Sequence, residues 1–123
     1  MALWQDQNKI HLIDEEGQII QAANIKDFSN LIIIVGKDAT SHMSALFEMI
    51  GSTPKIADKV ASAIRVSKRR WNIRLDNGIE ILLPEEEPAK SWQYIVNEHQ
   101  NHNILSSDIK SVDLRIEGKM FVK

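Results

Sequence analysis

The amino-acid sequence predicts an α+β fold, in which helices pack on one face of a mixed or antiparallel β-sheet. Met43, Leu46, Phe47 and Ile50 recur at i, i+3, i+4 and i+7, the spacing of one helical face. Short apolar runs separated by turn residues, as in residues 69–84, are typical of antiparallel strands. Helices that alternate with such strands favour the α+β class.

Composition indicates one ordinary globular domain of 123 residues, with 43% apolar and 26% charged residues. The net charge of −2 gives no global attraction to nucleic acid or to anionic lipid. The absence of cysteine excludes disulfides, thiolate catalysis and cysteine-based zinc sites. The longest apolar run, Leu31–Val35, is far shorter than the roughly 20 residues that span a bilayer, and it predicts a buried strand.

The first third of the chain predicts four short strands. They are Leu3–Gln5, Lys9–Ile13, Gln18–Ile20 and Leu31–Val35. Gly17 can take a positive φ in the turn before the third strand, and Gly36 ends the fourth.

The first helix is expected to begin at Asp38, Thr40 or Ser41, which are all N-cap residue types, and to end before Gly51. Pro54 suits the first turn of a short second helix. Its apolar residues are Ile56 and Val60, and Ala63–Val66 begins the next strand.

The last third predicts a helix from Pro88, after the acidic run Glu85–Glu87, and then a final hairpin. The inner face of the helix is expected to be Ala89, Trp92, Ile95, Val96 and His99. The strand Ile109–Ile116 would place Val112, Leu114 and Ile116 on one face. In the final strand, Lys119–Lys123, alternation would bury Met120 and Val122 and expose Phe121.

Residues 69–84, RRWNIRLDNGIEILLP, predict a β-hairpin whose register depends on its loop. A two-residue Asn-Gly loop would pair Leu75 with Glu80 and mix polar and apolar side chains. A three-residue loop at 76–78 pairs Leu75 with Ile79 and collects six apolar residues on one face. These six are Trp71, Ile73, Leu75, Ile79, Ile81 and Leu83. We therefore expect the three-residue loop, with its glycine in a left-handed conformation.

The other face of this hairpin carries Arg70, Asn72, Arg74 and Glu80, with Arg74 opposite Glu80. One interpretation is a solvated face whose charges protect the sheet from edge pairing. The other is a surface for an acidic partner, since arginine makes bidentate hydrogen bonds to carboxylates.

We find no pattern of catalytic residues and no cofactor or metal site. His99 and His102 have a spacing seen in metal sites, but only Glu98 and Asp108 lie nearby as carboxylates. Residues 36–40 lack the second glycine and the Lys-Ser/Thr pair of a phosphate-binding loop. The consecutive acids Glu85–Glu87 do not converge on one substrate atom. The cluster at 68–71 is weak evidence for nucleic acid.

Several motifs together resemble the bacterial cell-division family FtsQ, called DivIB in Gram-positive bacteria, in its alphaproteobacterial form. They are RRWNIRLDNGIEILLPEEEP, then a helix, then DIKSVDLRI, with ALWQDQNKIHLIDEEGQII and LIIIVGKDAT upstream. These motifs follow one another in the same order as in the family, from Leu3 to Val122. The resemblance implies a single β domain over residues 1–123, with residues 1–5 at the junction to a preceding POTRA domain. It also implies that the membrane helix and POTRA domain of the family are missing here, and that the partner strand could be cut short at Lys123.

What the resemblance implies for function is a scaffold without catalysis, on the periplasmic side of the inner membrane at the division septum. Its partners would be FtsB, FtsL and other divisome proteins, with no nucleic acid, and with membrane contact only through the upstream helix. The partner segment would add to the last strand. The implied binding residues are Arg115, Ile116, Glu117, Gly118, Lys119, Met120, Phe121, Val122 and Lys123, with Lys68–Arg69 or Arg69–Arg70 as the basic pair.

An alternative function is a module that binds cell-wall glycan by aromatic stacking. Trp4, Trp71 and Trp92 would supply the stacking surfaces. Because Trp71 and Trp92 fall on predicted inner faces, the partner-binding hypothesis is preferred.

Overall fold

The computed structural model describes residues 1–21, 25–28, 30–106 and 108–123. Over these ranges the chain forms one nine-stranded sheet and three α-helices. The strands are β1 Ala2–Asp6, β2 Lys9–Ile13, β3 Ile19–Ile20, β4 Ile33–Val35, β5 Val60–Val66, β6 Arg70–Leu75, β7 Glu80–Leu82, β8 Ser111–Asp113 and β9 Phe121–Val122. The helices are α1 Ala39–Gly51, α2 Pro54–Ala57 and α3 Pro88–His102, with 3₁₀ turns at Ile25–Phe28 and Ile104–Ser106.

The sheet is mixed, with the order β3-β2-β1-β4-β5-β6-β7-β8-β9. Three neighbouring pairs are parallel: β1 with β4, β4 with β5, and β7 with β8. Parallel neighbours require a crossover. Helices α1 and α2 lie in the crossover from β4 to β5, and α3 lies in that from β7 to β8. This confirms the predicted α+β class.

All three helices pack on one face of the sheet, which we call the helix face; the opposite face is the open face. Cross-strand pairing aligns one row of side chains on the helix face, and all its central members are fully buried. They are Ile34, Ala63, Ile73, Ile81 and Val112. The helices add their buried residues to the same cluster, among them Met43 and Trp92. Trp92 Nε1 donates to Thr53 Oγ1 at 2.9 Å, so its buried polar group is satisfied.

The central hairpin has the predicted register. Ile73 pairs with Ile81, and Leu75 N donates to Ile79 O at 2.9 Å. Gly78 has φ of 91°, the left-handed conformation that the three-residue loop requires. All six apolar residues expected on the inner face are buried.

Three helix predictions were wrong at single residues. Val60, which was expected in the second helix, begins β5, because α2 ends at Ala57. Gly51 is the last residue of α1 and does not follow it as a left-handed cap; Ser52 ends the helix with φ of −74°. Ala89 is exposed, so the inner face of α3 begins at Trp92. Asp38 does occupy the N-cap position of α1, but its side chain makes no capping hydrogen bond. It accepts from Arg65 Nε at 3.4 Å instead.

Candidate partner-binding edge

Strand β9 forms one outer edge of the sheet within the described residues. Lys123 N donates to Ser111 O at 3.0 Å, so the backbone of Lys123 faces β8. Backbone groups alternate in direction along an antiparallel strand, and the N–H and C=O groups of Val122 therefore face away from the sheet. Such outward groups are a template for an added strand.

The side chains of β9 are less buried than alternation along the sequence predicts. Phe121 lies opposite Asp113 on the open face and is 47% exposed, as expected. Met120 is partly buried against the core, also as expected. Val122 lies opposite Val112 on the helix face but is 42% exposed, so its predicted burial was wrong. The edge position explains this difference, because in the described part of the chain β9 has a strand on one side only.

The connection from β8 to β9 also differs from expectation. Only Ser111–Asp113 forms the strand that was predicted to run from Ile109 to Ile116. Leu114 is buried, whereas Ile116 is 55% exposed. Lys119 N donates to Ile116 O at 3.1 Å, which shows that Ile116 already belongs to the turn and no longer follows the strand alternation.

Arg115 is held by Asp113, two residues before it. Asp113 Oδ1 accepts from Arg115 Nε at 2.9 Å, and Oδ2 accepts from Nη2 at 2.7 Å. Asp113 Oδ1 also accepts from the Arg115 backbone N–H at 3.0 Å. The side-chain hydrogen bonds from Arg115 are the largest cause that lowers the pKa of Asp113, against the opposing effect of burial. The same hydrogen bonds raise the pKa of Arg115 above its ordinary value.

A groove of about 650 Å³ lies between the start of α3 and the β8–β9 connection. Its apolar lining includes Tyr94, Leu114, Ile116 and Met120. Its charged lining includes Glu85, Glu86, Glu87, Lys90, Arg115, Glu117 and Lys119. Tyr94 is 48% exposed. The groove is therefore an amphipathic surface beside the free edge.

The basic residues Lys68, Arg69 and Arg70 lie at the turn between β5 and β6. Ser67 and Lys68 both have positive φ, 55° and 57°, and Arg69 N donates to Val66 O within the three-residue turn that joins the paired residues Val66 and Arg70. Arg70 Nε is buried and has no hydrogen-bond partner among the described residues. The strand pairing places this turn at the same end of the sheet as Arg115.

This basic turn does not lie beside β9. Strand β6 is three positions away from β9 in the sheet order. With neighbouring strands about 4.8 Å apart, this separation is about 14 Å. A partner that meets both Arg115 and the basic turn must therefore extend across β7 and β8.

The polar face of the central hairpin is satisfied only in part, because Asn72 Oδ1, like Arg70 Nε, is buried without a hydrogen-bond partner among the described residues. Arg74 Nη2 donates to Glu80 Oε2 at 3.2 Å, as the predicted pairing requires. Asn72 Nδ2 donates to the other oxygen of Glu80, also at 3.2 Å. For Arg74, these contacts favour the interpretation of a solvated face over that of a surface for an acidic partner.

The histidines have structural roles. His99 Nδ1 accepts from Leu105 N at 3.1 Å, and burial first and the positive charge of Lys59 second lower its pKa below 6.5. His102 lies 3.9 Å from Glu98, and His42 lies 3.6 Å from Asp38. Among the residues that the structure describes, no three histidine or acidic side chains come together as a metal site.

The tryptophans lie mainly in the interior. Trp71 and Trp92 are 5% and 1% exposed, as predicted, which leaves no face for stacking on a glycan. Trp4 is half-buried; its Nε1 donates to Gly36 O at 2.8 Å and its ring contacts His11. The structure thus gives the glycan-binding alternative no platform built from these residues.

Sequence reasoning missed two residues at the edge, Asp113 and Tyr94. Asp113 could have been found, because it alternates with Val112 and Leu114 on the same strand as Arg115. Tyr94 falls off the buried stripe of α3, and only the position of the β8–β9 connection shows that it borders a groove.

These features define an α+β domain with one free sheet edge next to an amphipathic groove. The family model described as cell division protein FtsQ/DivIB, C-terminal, matches residues 2–115. The chain therefore belongs to the FtsQ/DivIB family.

Proteins named cell division protein FtsQ are similar along almost the whole chain. That of Rickettsia typhi is 35% identical over 123 residues, which is 100% of this chain and 46% of the relative. That of Rhizobium meliloti is 31% identical over 121 residues, or 98% of this chain and 39% of the relative. The chain thus spans less than half the length of these relatives. Residues 116–123 lie beyond the family model but within the match to the Rickettsia protein.

Across the described ranges, none of the helices has the length and apolar character needed to span a membrane.

Proposed function

We propose that this chain is a scaffold domain of bacterial cell division that acts by binding rather than by catalysis. In this proposal, strand β9 accepts an extended segment of FtsB, in the FtsB–FtsL pair, as an additional strand. The observation that carries the proposal is the free edge of β9, where the backbone groups of Val122 face outward. Membership in a family of cell division proteins supports the biological role.

The side chains beside this edge favour a partner with a particular pattern. A strand added to β9 would have one face towards Phe121 and the other towards the groove, whose lining includes Arg115, Met120 and Tyr94. Exposed aromatic side chains are frequent anchors at interfaces. The expected partner segment therefore alternates apolar residues with at least one carboxylate, which Arg115 would meet.

The proposal places the domain on the periplasmic side of the inner membrane, at the division septum. Membrane contact would belong to an upstream helix outside residues 1–123. The basic turn at Lys68–Arg70 would serve a part of the partner that continues across β7 and β8, because about 14 Å separates it from β9.

The test is a calorimetric titration with the FtsB periplasmic segment, using wild type, Val122→Pro and Val122→Ala. Proline at position 122 removes only an outward N–H, which edge strands tolerate. We expect Val122→Pro to abolish strand addition while its melting temperature stays close to that of the matched control, Val122→Ala. Binding by Val122→Pro at wild-type affinity would overturn strand addition at β9.

A second measurement concerns Phe121. Truncation to alanine should weaken FtsB binding by about tenfold or more, whereas the free energy of unfolding changes by less than about 1 kcal/mol, since the ring is 47% exposed. The matched control is Ile19→Ala, which removes an exposed apolar side chain from β3 at the opposite edge of the sheet and should leave FtsB binding unchanged. If Phe121→Ala lost enough stability to account for its weaker binding, a direct contact between Phe121 and the FtsB segment would be contradicted.

A further inference from the structure

Asp113 binds Arg115 through one side of the guanidinium group. Its two oxygens accept from Nε and Nη2, at 2.9 and 2.7 Å. A guanidinium carries five N–H donors in a planar fork. The bidentate contact uses the Nε–Nη2 side, and it leaves the end of the group, with both N–H donors of Nη1 and one of Nη2, directed away from Asp113.

Asp113 is also placed where it can act on the free edge. It pairs with Phe121 of β9, and its Oδ1 accepts from the backbone N–H of Arg115 as well as from the side chain. Three hydrogen bonds from one residue therefore hold both the backbone and the side chain of Arg115 next to the outermost strand.

We infer that Asp113 is a positioning residue for partner recognition, which holds Arg115 so that the end of its guanidinium faces a carboxylate of the strand added at β9. This inference rests on the proposed function. Asp113 does not itself contact the partner carboxylate; it orients the group that does.

Two effects of Asp113 oppose each other, and the structure indicates which is larger. Its negative charge repels a partner carboxylate, but the Asp113 and Arg115 side chains are 25% and 41% exposed, so solvent and salt screen this repulsion. Holding Arg115 in one conformation removes the entropy that a free arginine would lose on binding. Orientation therefore outweighs repulsion at this exposed site.

The experiment titrates the FtsB periplasmic segment, and a copy with its carboxylates changed to amides, into wild type, Asp113→Ala and Arg115→Ala. Asp113→Ala should bind the native segment about three- to tenfold more weakly, the range for one immobilised side chain. The loss should disappear with the amide segment and in the Asp113→Ala, Arg115→Ala double variant. Asp113→Asn, which keeps one acceptor oxygen, should lie between Asp113→Ala and wild type.

The matched control is Glu80→Ala, which removes an acidic side chain from the same face, one strand further in. If charge alone governed binding, Glu80→Ala and Asp113→Ala would both bind more tightly. NMR of the Arg115 Nε–H gives a readout without the partner, and its exchange with water should accelerate in Asp113→Ala.

The outcomes separate this inference from the function on which it rests. No binding of the native segment to wild type would overturn both. Binding to wild type, with an equal or higher affinity of Asp113→Ala, would overturn only the positioning role. A loss of affinity in Asp113→Ala that persists with the amide segment would also overturn only the positioning role, because it would indicate a structural effect of Asp113.

Discussion

The central hairpin β6–β7 and the terminal hairpin β8–β9 have similar sequence patterns but different outcomes. Both combine alternating apolar residues with a glycine-containing turn. In β6–β7, register, loop and inner face agree with the prediction. In β8–β9, both strands are shorter than predicted, and Ile116 and Val122 are exposed.

The difference lies in the neighbours of each hairpin. Strands β6 and β7 have β5 and β8 on their outer sides and the helices above one face. A register slip there would move six apolar side chains to the open face. Among the described residues, strand β9 has a neighbouring strand on one side only, so little buried surface depends on its alternation. An alternating apolar pattern therefore predicts burial only in a strand that has neighbouring strands on both sides and helices packed on one face.

The sharpest test compares two valines that face each other across β8 and β9. Val112 is fully buried, whereas Val122 is 42% exposed. We expect Val112→Ala to lower the free energy of unfolding by about 2 kcal/mol and Val122→Ala by less than about 0.5 kcal/mol. Urea denaturation of both variants measures this difference. Equal losses would show that the terminal hairpin is as well packed as the central one.

Gly78 tests the loop that sets the central register. Its φ is 91°, and a Cβ there would meet nothing within 4 Å. Gly78→Val should lower the free energy of unfolding by more than about 1 kcal/mol through backbone strain alone. Gly51→Ala is the control, since Gly51 is helical and equally unobstructed, and it should be stabilising by about 0.5–1 kcal/mol. A neutral Gly78→Val in thermal melts would be inconsistent with the left-handed loop.

The pH dependence of stability tests the link between α3 and the central hairpin. The backbone of Leu105 donates to His99 and accepts from Asn77 in the hairpin loop. Burial and Lys59 lower the folded-state pKa of His99 below 6.5, so the unfolded chain binds the proton more readily. The contribution of neutral His99 to the free energy of unfolding is fully present above about pH 6.5. It is lost as the pH falls through the folded-state pKa.

The measurement is the melting temperature of wild type, His99→Asn and His102→Asn between pH 7.5 and 5. His99→Asn should flatten the curve, whereas His102→Asn, which removes an exposed histidine of the same helix, should not. The pKa of Asp113 is lowered from 3.8, so the protonation of Asp113 affects stability only below the pH range of this measurement. Parallel curves for wild type and His99→Asn would exclude this role of His99.

Metal removal has the smallest expected effect. Because His99 already accepts a hydrogen bond from Leu105 and no three potential ligands come together among the described residues, we expect EDTA to leave the melting temperature unchanged. Addition of zinc after EDTA serves as the control. A lower melting temperature in EDTA that zinc restores would reveal a metal that contributes to folding.

The sequence alone predicted elements whose formation depends on local pattern. The register of β6–β7 follows from period-two alternation and one glycine, and the buried residues Trp92, Ile95 and Val96 follow from helical spacing. In each case, residues close in the chain bury their apolar side chains on one surface.

Only the tertiary structure decided which strands that are distant in the chain become neighbours. The parallel pairs β1–β4 and β7–β8 join segments that are distant in the chain, and local pattern carries no information about them. These pairings make β9 an edge and place the basic turn about 14 Å from it. The antiparallel pair β8–β9 places Asp113 opposite Phe121, so that a local contact between Asp113 and Arg115 lies at the candidate binding site. Alternation determines the face on which a side chain lies, whereas long-range packing determines what that face meets.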